Sequence, residues 1–405
     1  MFIRIANNPH HSQQRLGFLK YLTYMASQSD STTLKTLETY LLQIINKKEK
    51  IELDDSLRTY IKRRLRNKFL NKLENQQKKI YLDLQDIYLA DLQMASKTGK
   101  LYAVDCLRYP YFISSIGFVR EKTYSLLVRG KVFLEFVPKE ELDAFTNYTK
   151  TLNPFLLNDY QKYICLYSII ENDGYVLKPL YDKLLSLKKS FSDWSAGDFL
   201  AEIYMDIVKL YRPNVTSGVD IKKLDSLSYS AKRIERWVNK PRTGGRGAKI
   251  DAITPRLEPF VDLGLLKKQD PYKYTLYYFS KYGRKFFNLF CFNKDVDKFL
   301  NDSFFSAINK SFKLMANSAK EEEIINAIFS AFNIIKSPLG YAPIKELALF
   351  GAIKSLTDNK IIFEVGQATD LIMKYQKSHP YKARFQVDRS GAPVYVKFIN
   401  NVKNK

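Results

Sequence analysis

The chain has 405 residues, 45% of them hydrophobic and 14% aromatic, enough for several packed cores and too apolar for extended disorder. Sixty-five Lys and Arg stand against 42 Asp and Glu, a formal charge of +23 that favours a polyanionic partner over a neutral one. No apolar run approaches the roughly 18 residues of a membrane span, and three scattered cysteines with three histidines form neither a disulfide framework nor a zinc set.

No secretory leader is expected from MFIRIANNPHHSQQR, which lacks an apolar core before a small-residue cleavage site. These features together predict a cytoplasmic protein without cofactor, metal or membrane.

In chain order, TTLKTLETYLLQIINKK places Leu34, Leu37, Leu41 and Ile45 on one stripe, which predicts a helix. A second helix follows on Leu57, Ile61, Leu65, Phe69 and Leu73, with Asp54 and Asp55 at its positive end. Residues 58–79 hold nine Lys or Arg and one acid, Glu74. Arg63, Arg64 and Arg66 are candidate phosphate contacts there; the alternative is a solvated helix face.

TYSLLVRGKVFLEF, residues 123–136, is rich in β-branched and aromatic residues and predicts a strand after a helix that ends at Gly117. FLLNDYQKYICLYSIIENDGYVLKPLYDKLLS reads as two helices with a turn at Asn172, Asp173 and Gly174. A basic helix, SYSAKRIERWVNK, leads into KPRTGGRGAKI. The glycines there do not make a nucleotide loop. A Walker loop needs G-x-x-x-x-G-K-[ST] after a buried strand, whereas Lys249 is followed by Ile250. Lys240, Arg242, Arg246 and Lys249, with no acid among them, suit a loop that brings backbone and guanidinium groups to phosphates. A merely flexible basic loop is the alternative.

DAITPRLEPFVDLGLLKK then predicts a helix ending at Gly264, with Pro255 and Pro259 perturbing its register. YKYTLYYF predicts a strand, and Ser280 opens another helix. The stretch RLEPFVDLGLLKKQDPYKYTLYYFSKYGRKFF resembles the winged-helix DNA-binding proteins. That resemblance implies a recognition helix exposed before Gly264, with Arg256 among its DNA contacts, and Gly283 as the small residue of the following helix. Residues 85–136 bear a fainter likeness to the same family.

Two strongly apolar helices occupy residues 294–335 and suit interdomain packing or self-association. Beyond them, Ile344 to Leu356 and Glu364 to Gln376 predict two helices. ARFQV and VYVKF predict a β-hairpin closed by Asp388, Arg389, Ser390 and Gly391. This too resembles a winged helix. From Lys374 onward eight Lys or Arg stand against one acid, Asp388. Lys374, Lys377, Arg384 and Arg389 are the candidate contacts; the alternative is an edge hairpin whose charges oppose aggregation.

The expected fold is mainly α with small β-hairpins, carrying multiple winged-helix or helix-turn-helix modules joined by helices. Its parts are an N-terminal helical domain over 1–150, a helical hairpin over 151–219, a winged helix over 220–295, connecting helices over 296–337 and a C-terminal winged helix over 338–405. No paired carboxylates, triad, H-E-x-x-H or nuclease set is found, so a non-catalytic protein binding double-stranded DNA is expected. The alternatives are an RNA-binding protein and a docking subunit beside a catalytic partner, for instance in a prokaryotic defence or mobile-element system.

Overall fold

A computed structural model of the chain describes residues 16–27, 109–120, 123, 125–144, 156–187, 190–238, 252–269 and 275–399. Among the described residues the fold is mainly helical with three small sheets, and the chain divides into two compact units. The first holds residues 1–158 and 172–284, the second 159–171 and 285–405. The predicted helices of residues 33–79 lie outside the described residues. Among those described, no helix is long and apolar enough to cross a membrane.

In the first unit, α1 (Gly17–Ser27) meets α2 (Tyr109–Ser115) and α3 (Val128–Glu135), followed by α4 (Lys139–Ala144). The strand expected over 123–136 is therefore corrected to a helix, with one bridge between Val119 and Leu126. The reason is packing. Val132 and Phe133 are both buried, the Phe133 ring lies 4.8 Å from that of Phe118, and a Cβ at Gly130 would lie 2.3 Å from the Phe118 carbonyl oxygen. Only glycine allows that approach.

The expected turn at Asn172–Gly174 is also absent. Helix α5 runs unbroken from Asp159 to Ser186. A mid-helix glycine costs only ~1 kcal/mol relative to alanine, and Asp173, read as a turn former, is buried at 4% exposure and serves the core instead.

The rest of the first unit follows from capping and periodicity. Ser192 and Ser195 exchange two 3.0 Å bonds between hydroxyls and backbone amides, opening α6 (Asp193–Tyr211) just after β1 (Phe191–Ser192). Helix α7 (Gly218–Val238) buries Leu224, Leu227, Ala231 and Ile234, one stripe that packs on α6. A 3-10 turn (Thr254–Arg256) and the short α8 (Glu258–Asp262) lead to β2 (Leu266–Gln269) and β3 (Leu276–Phe279). The antiparallel sheet has the order β1-β3-β2. At the start of α9 (Lys281–Phe292), Gly283 fills the role expected of it. A Cβ there would stand 1.8 Å from the Leu265 carbonyl oxygen, while the Ser280 hydroxyl accepts from the Gly283 amide at 2.9 Å.

The second unit begins on phenylalanines. Phe286, Phe290, Phe299 and Phe304 from α9, α10 (Val296–Asp302) and α11 (Phe304–Phe312) meet at 5.0–6.4 Å, mostly edge to face. Strand β4 (Asn317–Ser318) pairs in parallel with β6 (Ile361–Ile362). Between them in sequence come α12 (Glu321–Ile335), β5 (Ala342–Pro343), α13 (Ile344–Lys354) and a π-helical turn, Ser355–Asn359. Helix α14 (Val365–Ser378) and the hairpin of β7 (Ala383–Val387) and β8 (Pro393–Phe398) complete the unit. Its antiparallel sheet has the order β5-β8-β7, so the C-terminal strand is central.

Candidate nucleic-acid interface

The exposed basic surface of the second unit rests on α14 and the β7–β8 hairpin. Glu364 fixes the start of α14. Its carboxylate accepts from the amides of Phe305 and Ser306 at 3.0 and 2.7 Å, and its own amide donates to Gln367 Oε1 at 2.8 Å. Burial pushes the Glu364 carboxyl up, and the two amide bonds offset only part of that rise. Val365, Ala368 and Ile372 turn inward, which leaves Gln367, Asp370, Lys374 and Lys377 exposed. Tyr375 lies against Phe398 at 5.7 Å and Phe329 at 5.4 Å, and Phe398 against Phe329 and Phe332 at 4.8 and 4.9 Å. One aromatic cluster thus ties α12, α14 and β8 together.

The hairpin's register decides which cations share its outer face. Arg384 pairs with Lys397 and Gln386 with Tyr395, while Ala383 and Phe385 face inward opposite Phe398 and Val396. Arg384 is exposed. Lys397 is held in place, donating to the Leu339 carbonyl at 3.0 Å with its ammonium 5.5 Å from the Tyr341 ring.

The hairpin's only acid is spent on its own turn. Asp388 Oδ1 accepts from the Ser390 hydroxyl at 2.6 Å and from the amides of Ser390 and Ala392 at 2.8 and 3.0 Å. The Ser390 hydroxyl first, then the two amides, hold this carboxyl below its usual range. Gly391 at φ +82° closes the turn, and Arg389 stands exposed at the tip. Lys374 forms a 3.1 Å ion pair with Glu321, both about two-thirds exposed. Such pairs are worth ~0–1 kcal/mol, so the lysine exchanges partners at little cost.

The other expected contacts divide in two. Arg63, Arg64, Arg66, Lys240, Arg242, Arg246 and Lys249 lie outside the described residues. Arg256 is a correction: it is 1% exposed and cannot reach a nucleic acid. Its Nε donates to Asp173 Oδ2 at 2.7 Å, Nη1 to the Tyr204 hydroxyl at 2.7 Å and to the Ala252 carbonyl at 2.8 Å, and Nη2 to Asp173 Oδ1 at 3.2 Å. Residues 253–260 around it are all buried, so the helix expected to read DNA before Gly264 is core. Pro255 and Pro259 split that helix into the 3-10 turn and α8.

Sequence reasoning passed over Lys382, Lys397, Gln367 and Asp370. Strand alternation carried the signal for Lys397, since it falls opposite Arg384 once the hairpin is aligned on its turn. Helical spacing back from Lys374 carried it for Gln367 and Asp370.

Compared with known proteins, the chain matches no family model, no curated protein and no solved structure.

Proposed function

We propose that this protein binds double-stranded DNA, without catalysis, through its C-terminal unit, with α14 and the β7–β8 hairpin acting as the recognition helix and wing of a winged-helix module. The run α12, β5, α13 and the run α14, β7, β8, separated by the two-residue β6, support that reading together with the sheet order β5-β8-β7. The observation that carries it is the charge balance of the hairpin and its flanks. Lys377, Lys382, Arg384 and Arg389 are exposed without an acidic partner among the described residues, and Asp388 is occupied by its turn. Four such cations, on a helix end, the link after it and one hairpin, are suited to successive phosphates.

Asp370 and Gln367 on the exposed face of α14 would be base-reading rather than phosphate-binding groups, because a carboxylate is repelled by phosphate but accepts from a cytosine amino group. The test is fluorescence anisotropy of the full chain with labelled duplexes of two unrelated sequences at about 50 and 200 mM salt. Binding to both, falling steeply with salt, is expected.

A second reading, a protein-docking module, draws on the apolar residues beside the same cations. Tyr381 is 89% and Val387 54% exposed. Salt-insensitive or absent duplex binding, with retention of a partner protein in a pull-down, would favour docking.

A further inference from the structure

The β5-β8-β7 sheet has one face that the core of the second unit does not use. Phe398 packs inward against Phe329, Phe332 and Tyr375, and Val396, Ala383 and Ala342 are buried on the same side. Alternation turns their neighbours outward. Two rows of side chains cross the outer face from β5 through β8 to β7. Strand pairing sets Pro343, Tyr395 and Gln386 in the first row. In the second, Tyr341, one residue before β5, stands beside Lys397, which pairs with Arg384. Tyr395, Gln386 and Arg384 are exposed, and Tyr341, Pro343 and Lys397 are half-buried.

Two features set this face apart from an ordinary solvated sheet. The first is charge. Residues 336–343, 381–387 and 393–399, which build the face, hold four Lys or Arg and no acid. Lys397 is fixed among them: its ammonium donates to the Leu339 carbonyl at 3.0 Å, and its stem lies over Gly340, where a Cβ would come 3.2 Å from Lys397 Cε. The second feature is that both outward rings, Tyr341 and Tyr395, lie among these cations. They are diagonal neighbours on adjacent strands, about 7–8 Å apart along the backbone. That spacing lets neighbouring units of one polymer take one ring each.

Single-stranded DNA answers both features. Its phosphates meet cations that no acid opposes, and its unpaired bases stack on aromatic side chains. A duplex cannot use the rings, because its bases must first leave their own stack. A second copy of this chain is disfavoured, since face-to-face packing about a two-fold axis would set Arg384 and Lys397 against their own counterparts.

We propose that the outer face of the β5-β8-β7 sheet binds single-stranded DNA, with bases stacked on Tyr395 and Tyr341 and phosphates held by Arg384 and Lys397. The choice of DNA over RNA rests on the duplex reading above, because Arg384 belongs to both surfaces; the stacking does not depend on that reading.

The experiment titrates the full chain with labelled oligodeoxythymidylate, read by fluorescence anisotropy. Saturable binding is expected. Tyr395→Val keeps a strand-forming residue without a flat ring and should weaken binding roughly tenfold, whereas Tyr395→Phe keeps the ring and should bind as the parent does. Neither substitution removes a charge, so the salt slope for the oligonucleotide and the affinity for a duplex should both stay at parent values. An abasic oligonucleotide of equal length keeps its phosphates and loses its bases. Offered to the parent chain, it should bind more weakly by a similar factor, a comparison that requires no variant to fold. A chain that binds the single strand but no duplex refutes the duplex reading and upholds the stacking face; a chain that binds only duplexes does the reverse. The proposal is overturned by absent or unsaturable binding of oligodeoxythymidylate, by parent-like affinity in Tyr395→Val or for the abasic strand, or by tighter binding of oligouridylate than of oligodeoxythymidylate.

Discussion

Arg256 and Asp173 form a two-point ion pair inside the first unit, with Nε 2.7 Å from Oδ2 and Nη2 3.2 Å from Oδ1, 83 residues apart in sequence. Burial opposes the guanidinium charge, but Asp173 and then Tyr204 more than offset it, so the arginine is held more firmly protonated than usual. The backbone joins in, since the Tyr181 hydroxyl donates to the Arg256 carbonyl at 2.8 Å. Removing one member of a buried pair leaves the other charged and unpaired, at ~3–5 kcal/mol. Asp173→Ala should therefore lower the unfolding free energy of the first unit, extrapolated from denaturant titration, by that amount. A loss under ~1 kcal/mol, the level of a surface pair, would show that the pair is not buried in solution.

This pair also shows where sequence reasoning stops. Arginine near a glycine-rich basic loop has the same signature whether it faces solvent or core, and only a distant acid decides between them. Asn172–Gly174 carries a true local turn preference, overridden because Asp173 gains more from Arg256 than from capping a turn. By contrast, the helices predicted over 344–356 and 364–376 and the hairpin around Asp388 appear as α13, α14, β7 and β8 within a few residues. Their signals are local: a 3.6-residue stripe, a two-residue alternation, and turn residues with an acid that bonds its own loop.

Gly283 gives the second prediction. Its missing side chain lets the Leu265 carbonyl come within 1.8 Å of where a Cβ would sit. Gly283→Ala must push α9 from β2, and overpacking of this kind costs roughly 1–3 kcal/mol. Gly264→Ala offers a contrast. It meets no atom within 4 Å but sits at φ +71°, so its cost comes from backbone strain alone. Urea unfolding of both variants checks the ranking, with Gly283→Ala expected to be the more damaging.

Glu364 sets a pH dependence. Its carboxyl is raised in the folded unit from the ordinary 4.5, so between that value and the raised one the native state holds a proton that the unfolded chain has lost. Stability from this group is therefore complete below about pH 4.5 and declines as pH rises through the folded value. Glu364→Gln should remove this part of the slope. Denaturant midpoints of the parent and variant across pH 4 to 8 should converge at the acid end and diverge towards neutrality. Parallel curves would contradict the assignment.

The tip of the β7–β8 hairpin gives a fourth. Asp388 must be ionised to hold the amides of Ser390 and Ala392, and its carboxyl titrates below the usual range. Its contribution is present above the ordinary carboxylate value and lost as pH falls through the lowered one. Amide exchange at Ser390 and Ala392 should accelerate in Asp388→Ala, while exchange in α13 stays unchanged. Equal protection in both proteins would show that the turn does not depend on the carboxylate.

The account turns on whether Arg384 and Arg389 meet phosphates. The direct measurement is the slope of log affinity against log salt for a labelled duplex, taken for the parent chain and for Arg384→Ala with Arg389→Ala. Each phosphate contact contributes about 0.9 to that slope, so the double variant should bind more weakly on every sequence with a slope flatter by about 1.8. A slope unchanged from the parent, in a variant of unchanged melting temperature, would remove the hairpin from the interface and contradict the proposed function.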